Sequence, residues 1–496
     1  MANMVIFNAY PDSMCGKLKD IVELLGRAEM KDAFSAFYIL PSVFISDLDR
    51  GFSIVSYDLN DELASRKDLE QLKELGIDLK LDFVLNHLSI QSKQFQDILA
   101  RGQESEYSDF FINWNKFWDG HGTMTAGGYI QPDAELIKNM FFRKPGLPIL
   151  MVPMPDGSKV PYWNTFYQEV VEEGKKYLGQ MDLNINSPLV WKYYDEVLHT
   201  LADYGAKIVR LDAFAYAPKE VGAKNFLNEP GTWELLKKVQ QLADQYGLWL
   251  LPEIHATYEE KTYKTLANKG YMTYDFFLPG LIIDALENHN GEVLAAWIRE
   301  LTEQKIRTVN MLGCHDGIPL LDLRGMLSEE RIEKLIDTVV SRGGYVKNLH
   351  GQQNVYYQVN ATYYSALGAN DKKMLMARAI QIFMPGTPQV WYLDLFAGEN
   401  DYGAMERAGA GGHKEINRSN LTMEQIEDAL KHDVVKKQLE LLRLRNTHPA
   451  FIPDSKVTVA VDHECIDIHW EYAHHQASIR ANLLTYDFKI SATKYL

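Results

Sequence analysis

The sequence predicts an α/β fold: a (β/α)8 TIM barrel with inserted subdomains and a small C-terminal all-β domain. Three observations lead there. Short apolar runs alternate with helix-periodic segments from the N-terminus onward, the order of a parallel sheet wrapped by helices. Charged and polar residues gather where the apolar runs end, as they do at the carboxyl face of barrel strands. After Thr447 the helical rhythm gives way to short alternating runs, the mark of a small antiparallel sheet.

The elements follow in order. Met4–Tyr10 reads as the first strand, and Leu18, Ile21, Leu24 and Leu25 share one face of a helix spanning Gly16–Met30. Ala36–Pro41 is the second strand, and its outgoing loop carries Asp49-Arg50-Gly51-Phe52. Helix Arg66–Gly76 leads to strand Ile77–Val84, which runs on into Asn86-His87. From 88 to 183 the rhythm breaks into an aromatic, Gly- and Pro-rich stretch too long for a loop, hence an inserted domain. Its Trp114, Phe117 and Trp118 suit either that domain's core or stacking on a sugar. Helix Pro188–Tyr204 returns to the barrel, and the apolar run 206–209 after Gly205 ends in Arg210-Leu211-Asp212. Helix Thr232–Tyr246 precedes strand Leu248–His255, tipped by Glu253. Tyr271–Pro279 is the sixth strand and Arg307–Leu312 the seventh, with His315-Asp316 just beyond it. A second insertion spans 318–369. Helix Met374–Phe383, an eighth strand Pro388–Tyr392 and helix Val434–Thr447 complete the barrel. Its segments are then 1–87, 184–317 and 370–450. Residues 451–496 form the tail domain, with strands Val457–Val461, Cys465–Trp470 and Ala477–Leu484.

A net charge of −16 argues against nucleic-acid or anionic-membrane binding. Cys15, Cys314 and Cys465 have no paired spacing, so neither a disulfide framework nor a metal site is expected. The N-terminus has no basic segment followed by a long apolar one, and no apolar run reaches membrane-spanning length. The expectation is a cytoplasmic protein.

Asp212, Glu253 and Asp316 stand at three strand tips. Residues two apart on a strand point to one side, so Arg210 and Asp212 project together. That pair could simply brace a strand end. Three tip carboxylates, two of them with a histidine within two residues, fit retaining glycosyl transfer better. One carboxylate attacks the anomeric carbon, a second protonates the leaving oxygen and later acts as base, and the third holds sugar hydroxyls. Arg210 should keep Asp212 ionised, and the apolar run before Glu253 should favour its protonated form. His255, two residues past Glu253, fits a hydrogen-bonded structural residue better than a catalytic one.

The order Asp82…Asn86-His87, Arg210-Leu-Asp212, Pro252-Glu253, His315-Asp316 resembles the four-motif set of the α-amylase superfamily, glycoside hydrolase family 13. Asp49-Arg-Gly-Phe52, Tyr357-Gln358, Thr362–Leu367, Ala397–Asp401 and Ile416-Asn-Arg418 narrow the resemblance to its sucrose phosphorylase group, including the sucrose 6'-phosphate phosphorylases. The resemblance implies Asp212 as nucleophile, Glu253 as acid/base and Asp316 as transition-state stabiliser. It implies that Asp49, His87, Arg210, His315 and Arg418 hold the glucosyl unit, with Phe52 as its aromatic platform and Gln180 and Gln358 lining the site. The implied reaction is reversible phosphorolysis with retention, from a sucrose-like α-glucoside and inorganic phosphate to α-D-glucose 1-phosphate. No metal or organic cofactor is required, and relatives are often homodimers. Arg143, Tyr216 and Tyr357 are candidates for the phosphate or acceptor side. The loop residues Arg143, Lys144, His413 and Lys414 suit either that role or a solvated surface.

The chain departs from the group's pattern at several words. Val355 stands where an Asp is usual, and Tyr357 where sucrose 6'-phosphate phosphorylases carry His. Gly313 replaces the Asp that normally precedes the His-Asp motif by two residues, and Gly409–Lys414 differs from the usual approach to Asn417-Arg418. These changes fall on the acceptor side and its loops. Sucrose 6'-phosphate, glucosylglycerol or glucosylglycerate phosphorolysis therefore stays open, as does hydrolysis or transglucosylation on the same scaffold. A non-catalytic sugar-binding relative would be expected to have lost one of the three carboxylates.

Overall fold

A computed structural model describes residues 3–142, 146–166, 168–171, 176–348, 356–409 and 412–494. Eight strands form one sheet: β1 Ile6–Ala9, β2 Ala36–Ile39, β3 Asp78–Val84, β4 Ala206–Asp212, β5 Trp249–Pro252, β6 Thr273–Asp275, β7 Thr308–Asn310 and β8 Thr387–Trp391. Their order is β5-β4-β3-β2-β1-β8-β7-β6. Each strand lies beside its sequence neighbour, β1 pairs in parallel with β8, and only the β5–β6 seam is left open. The result is a nearly closed TIM barrel, as the sequence predicts.

Local chemistry explains the elements. The helix Pro188–Asp203 starts with proline in its first turn, where a missing N–H costs nothing. It buries Val190, Tyr194, Val197, Leu198 and Leu201 along one stripe. Gly205, at φ +93°, then turns the chain into β4.

The sixth strand is shorter than its sequence suggests. Residues 278 and 279 belong to helix Leu278–Asn288, not to β6. Asp275 ends the strand by accepting the Phe277 and Leu278 N–H groups at 3.2 and 3.0 Å, which caps the helix. Pro279 then suits the first turn. The tail sheet has four strands rather than three: β9 Lys456–Asp462, β10 Cys465–Tyr472, β11 His475–Asn482 and β12 Asp487–Ala492, an antiparallel meander. The additional β12 is an edge strand with no buried residue along its length.

The chain forms two compact units. The first comprises Met1–Tyr38, Glu70–Leu79 and His255–Leu496; the second comprises Ile39–Leu69 and Lys80–Ile254. In the second, Trp114, Trp118 and Trp163 pack with Ile112 and Ile130, with Phe117 against them. The aromatic stretch is thus a core and not a sugar platform. In the first, the buried Arg445 guanidinium lies 4.8 Å from the Phe451 ring and 4.6 Å from Trp470, tying helix Asp433–Thr447 to the tail sheet.

Candidate active site

In the second unit, Arg210 near the end of β4 meets three carboxylates. Its Nη1 donates to Asp82 Oδ1 at 2.6 Å and lies 2.9 Å from Asp212 Oδ1; its Nη2 lies 3.1 Å from Glu253 Oε1. Asp82 is fully buried, whereas Asp212 and Glu253 each keep 14% of the side chain open to solvent. Strand pairing dictates the arrangement. Leu211 is in register with Pro252, and the Glu253 N–H reaches the Leu211 carbonyl, so the two carboxylates sit on adjacent positions of neighbouring parallel strands. Such neighbours are about 4.8 Å apart. The apolar run before Glu253 predicts a carboxyl set among apolar groups; the structure instead gives it a guanidinium.

The guanidinium lies 5.5 Å from the Phe52 ring. Phe52 follows a tight turn in which Asp49 and Arg50 both have positive φ, and a Cβ on Gly51 would strike the Ser42 backbone. The Phe52 carbonyl accepts from His87 Nε2 at 3.0 Å and from Gln180 Nε2 at 3.2 Å. Burial pushes the His87 imidazole down, against the charges of Asp182 and Asp49, so the ring is neutral at pH 7. Its Nε2 therefore carries the proton, and Nδ1 accepts from Asn86 Nδ2 at 3.2 Å. The Tyr216 ring packs against Phe166 and Phe226, and its carbonyl accepts from Lys219.

Lys219 was not singled out by the sequence. It is buried, 2.8 Å from the equally buried Asp182, which also accepts from Asn86 and Thr165. Burial pushes the lysine down from its ordinary range. The network braces the segment that holds His87 and Gln180. Its only sequence signal is the nearness of Asp182 to Gln180 and of Lys219 to Tyr216.

In the first unit, Asp316 is surrounded by basic side chains. His315 Nε2 is 3.2 Å from its Oδ2; Lys414 Nζ is 2.6 Å and Arg418 Nη2 3.6 Å from its Oδ1. Burial would raise the Asp316 carboxyl. The charges of His315, Lys414 and Arg418, with the Lys414 hydrogen bond, outweigh it and hold the group well below the usual carboxylate range. Lys414 is therefore a partner of the predicted stabiliser and not a solvated loop residue. His413 lies beside Tyr345, with ring centroids 6.0 Å apart.

Arg418 Nε donates to the His315 carbonyl at 2.7 Å, and Asn417 Nδ2 to the Cys314 carbonyl at 2.8 Å. His255 stacks on Phe276 at 3.9 Å; its Nδ1 is 3.1 Å from Asp322 Oδ2 and its Nε2 is 3.4 Å from Gln358 Nε2. Arg143, Lys144 and Val355 lie outside the described residues, as does the side chain of Tyr357. No group of three or more His, Cys, Asp or Glu suited to a metal occurs among the described residues, and no helix there is long and apolar enough to cross a membrane.

Comparison with known proteins places this geometry. The alpha-amylase catalytic-domain family matches residues 33–335. The sucrose 6(F)-phosphate phosphorylase of Ilumatobacter coccineus is 53% identical, over 99% of this chain and 96% of that one. The chain belongs to the α-amylase family, in its sucrose phosphorylase group. A crystal structure of sucrose 6F-phosphate phosphorylase from Thermoanaerobacter thermosaccharolyticum superposes with a TM-score of 0.89 at 35% identity, covering 99% of this chain and 96% of that one. The sucrose phosphorylase of Streptococcus mutans is 32% identical over 99% of this chain and 97% of its own length. Membership of the sucrose phosphorylase group makes the protein an enzyme, a glycosyltransferase of the glycoside phosphorylase type.

Proposed function

We propose that the enzyme phosphorolyses sucrose 6'-phosphate, with retention, to α-D-glucose 1-phosphate and fructose 6-phosphate. The carrying observation is the placement of Asp212 and Glu253 on adjacent positions of paired parallel strands, both on one guanidinium. Retaining enzymes need carboxyls about 5–5.5 Å apart, whereas inverting enzymes need about 6.5–9.5 Å. Neighbouring strand tips favour the former.

In the first step an Asp212 oxygen attacks the anomeric carbon. The glycosidic C–O bond breaks, and Glu253 gives its proton to the departing sugar oxygen. In the second, a phosphate oxygen attacks the same carbon, the bond to Asp212 breaks, and Glu253 takes up a proton. Two inversions give net retention. Arg210 holds both carboxylates in place, and Asp82 holds Arg210. Asp316, kept ionised, stabilises the oxocarbenium-like charge through the sugar hydroxyls, with His315 and Arg418 beside it. Phosphate as attacking group calls for cations, and Lys414 and Arg418, the partners of Asp316, are the basic residues we assign to it.

The acceptor assignment draws on the sequence. The Ilumatobacter coccineus relative named for sucrose 6(F)-phosphate is 53% identical over 99% of this chain. Tyr357 and Val355 favour a second reading, in which sucrose or a smaller glucoside is the donor. Turnover of sucrose and of sucrose 6'-phosphate, each with and without inorganic phosphate, separates the two. Phosphate-dependent glucose 1-phosphate from sucrose 6'-phosphate alone is expected. Free glucose without phosphate dependence would make the enzyme a hydrolase.

A further inference from the structure

Gly313, Cys314, His315 and Asp316 leave β7 as a loop with no regular backbone pairing until Ile318, which exchanges both backbone hydrogen bonds with Val359. A catalytic carboxylate on an irregular loop is only as well placed as the groups that hold that loop. Several are side chains from distant elements of the first unit. Asn417 takes the Cys314 carbonyl, Arg418 the His315 carbonyl, and Asn360 Nδ2 donates to the Asp316 carbonyl at 2.9 Å. These hold the loop's carbonyls. The N–H at its root, that of Gly313, donates to Asp394 Oδ2 at 2.8 Å.

Asp394 lies just past the end of β8, in the short helix Tyr392–Leu395, and is fully buried. Its other oxygen accepts the Tyr363 N–H at 3.3 Å. The contact at position 313 leaves no room for a side chain. A Cβ there would lie 2.8 Å from Asp394 Oδ2 and 3.0 Å from Oδ1. Gly313 has no positive φ to explain it, so it is glycine because a carboxylate occupies the space its side chain would fill. Around Asp394 stand the buried Arg378 and the Tyr363 phenol, with Gln438 Nε2 on the Asp394 backbone carbonyl.

We propose that Asp394 is the positioning residue of the 313–318 loop. From β8's end, in place of a carboxylate carried by the loop itself, it fixes the backbone from which His315 and Asp316 project. The pair Gly313/Asp394 is one functional unit, with the small residue on the loop and the acid on the neighbouring strand's exit. The assignment rests on the proposed role of Asp316 in glucosyl transfer.

Four variants test it: Asp394→Asn, Gly313→Ala, the exchange Gly313→Asp/Asp394→Gly, and Asp394→Gly alone. Asp394→Asn turns an NH2 toward one of two N–H donors. Gly313→Ala forces the loop off the Asp394 side chain while leaving that side chain in place. Each should lower kcat by about 100-fold, the scale of an ångström of misplacement. The KM for phosphate should stay within about threefold, because a 100-fold loss through ground-state binding would appear in KM instead. The exchange returns a carboxylate to the same space from the loop side and should recover at least tenfold of the kcat lost in Asp394→Gly. Wild-type kcat in Asp394→Asn or Gly313→Ala, with only a lower unfolding temperature, would make the contact purely structural and overturn the proposal. An exchange variant no better than Asp394→Gly would do the same. Asp316→Asn separates this from failure of the wider reading. If that variant keeps full activity, the role of Asp316 is wrong; if it is inactive while the Asp394 variants are normal, only the positioning assignment falls.

Discussion

Two charge clusters in this molecule have opposite stoichiometry. In the second unit one guanidinium, Arg210, serves three carboxylates, Asp82, Asp212 and Glu253. In the first unit one carboxylate, Asp316, is served by three basic side chains, His315, Lys414 and Arg418. In the first arrangement three acids share one guanidinium, which holds the two proposed reacting carboxyls side by side. The second keeps its carboxylate ionised, although Glu415 also draws on Arg418 at 3.5 Å. The two clusters thus hold their acids differently, one by sharing a cation and the other by gathering several basic groups.

The sharpest test of the first cluster removes its reacting atom. Asp212→Asn should lower kcat/KM for glucose 1-phosphate formation by on the order of 10⁴–10⁶-fold, as loss of a covalent nucleophile does. The variant should keep its thermal midpoint, because Arg210 retains Asp82 and Glu253. A loss under tenfold would remove Asp212 from the nucleophile's position and leave the cluster as a brace.

The next largest effect is on stability. Arg210→Met would take the guanidinium from Asp82, which is fully buried, and from the two carboxylates beside it. Breaking a buried pair from one side costs about 3–5 kcal/mol. A urea titration at pH 7 should show that loss. Because the penalty is carboxylate repulsion, adding Asp82→Asn should return part of it. No recovery would mean that Arg210 acts by packing on Phe52 instead.

How much of this was legible before folding divides along the same line. The strand tips were readable, because an apolar run that ends in Arg-Leu-Asp or Pro-Glu fixes both an element and the side of it that reacts. The partner count was not. Asp82, Arg210 and Glu253 meet only through the order in which β3, β4 and β5 pair, and pairing order is not written in any one strand. Lys414 could not be told from a surface lysine, since the loop around it has no periodic pattern. The brace of Lys219 on Asp182 joins the exits of separate strands and has no motif of its own. The helix at 278 was hidden because Asp275 caps it from the last residue of a strand, so one apolar stretch serves two elements. Gly313 was visible as a departure, and its cause, Asp394, lies on another strand's exit.

A smaller effect probes the second cluster. Lys414→Gln removes one of the three basic partners, so the Asp316 carboxyl should rise toward its ordinary range. A carboxyl depressed by folding adds stability above its unfolded value and loses it as pH falls through the folded one. The stability difference between wild type and Lys414→Gln should therefore be full at pH 7 and should fade below about pH 4. Denaturant midpoints across that window check it. A difference unchanged at low pH would assign Lys414 to the loop's packing and not to Asp316.

The smallest effect sets the scale for the others. Arg66 and Asp203 form a 2.8 Å ion pair in the same unit as Arg210, but 61% and 52% of their side chains are open to solvent. Water and salt screen such a pair, and the two side chains lose rotamer freedom to form it, so Arg66→Ala should cost about 0–1 kcal/mol. The cost should fall further at 0.5 M salt, which shortens the Debye length to a few ångströms. Arg210 and Arg66 make charge contacts of similar length, so any large difference between their variants measures burial and partner count, not distance. If Arg66→Ala cost as much as Arg210→Met, partner counting would explain neither cluster.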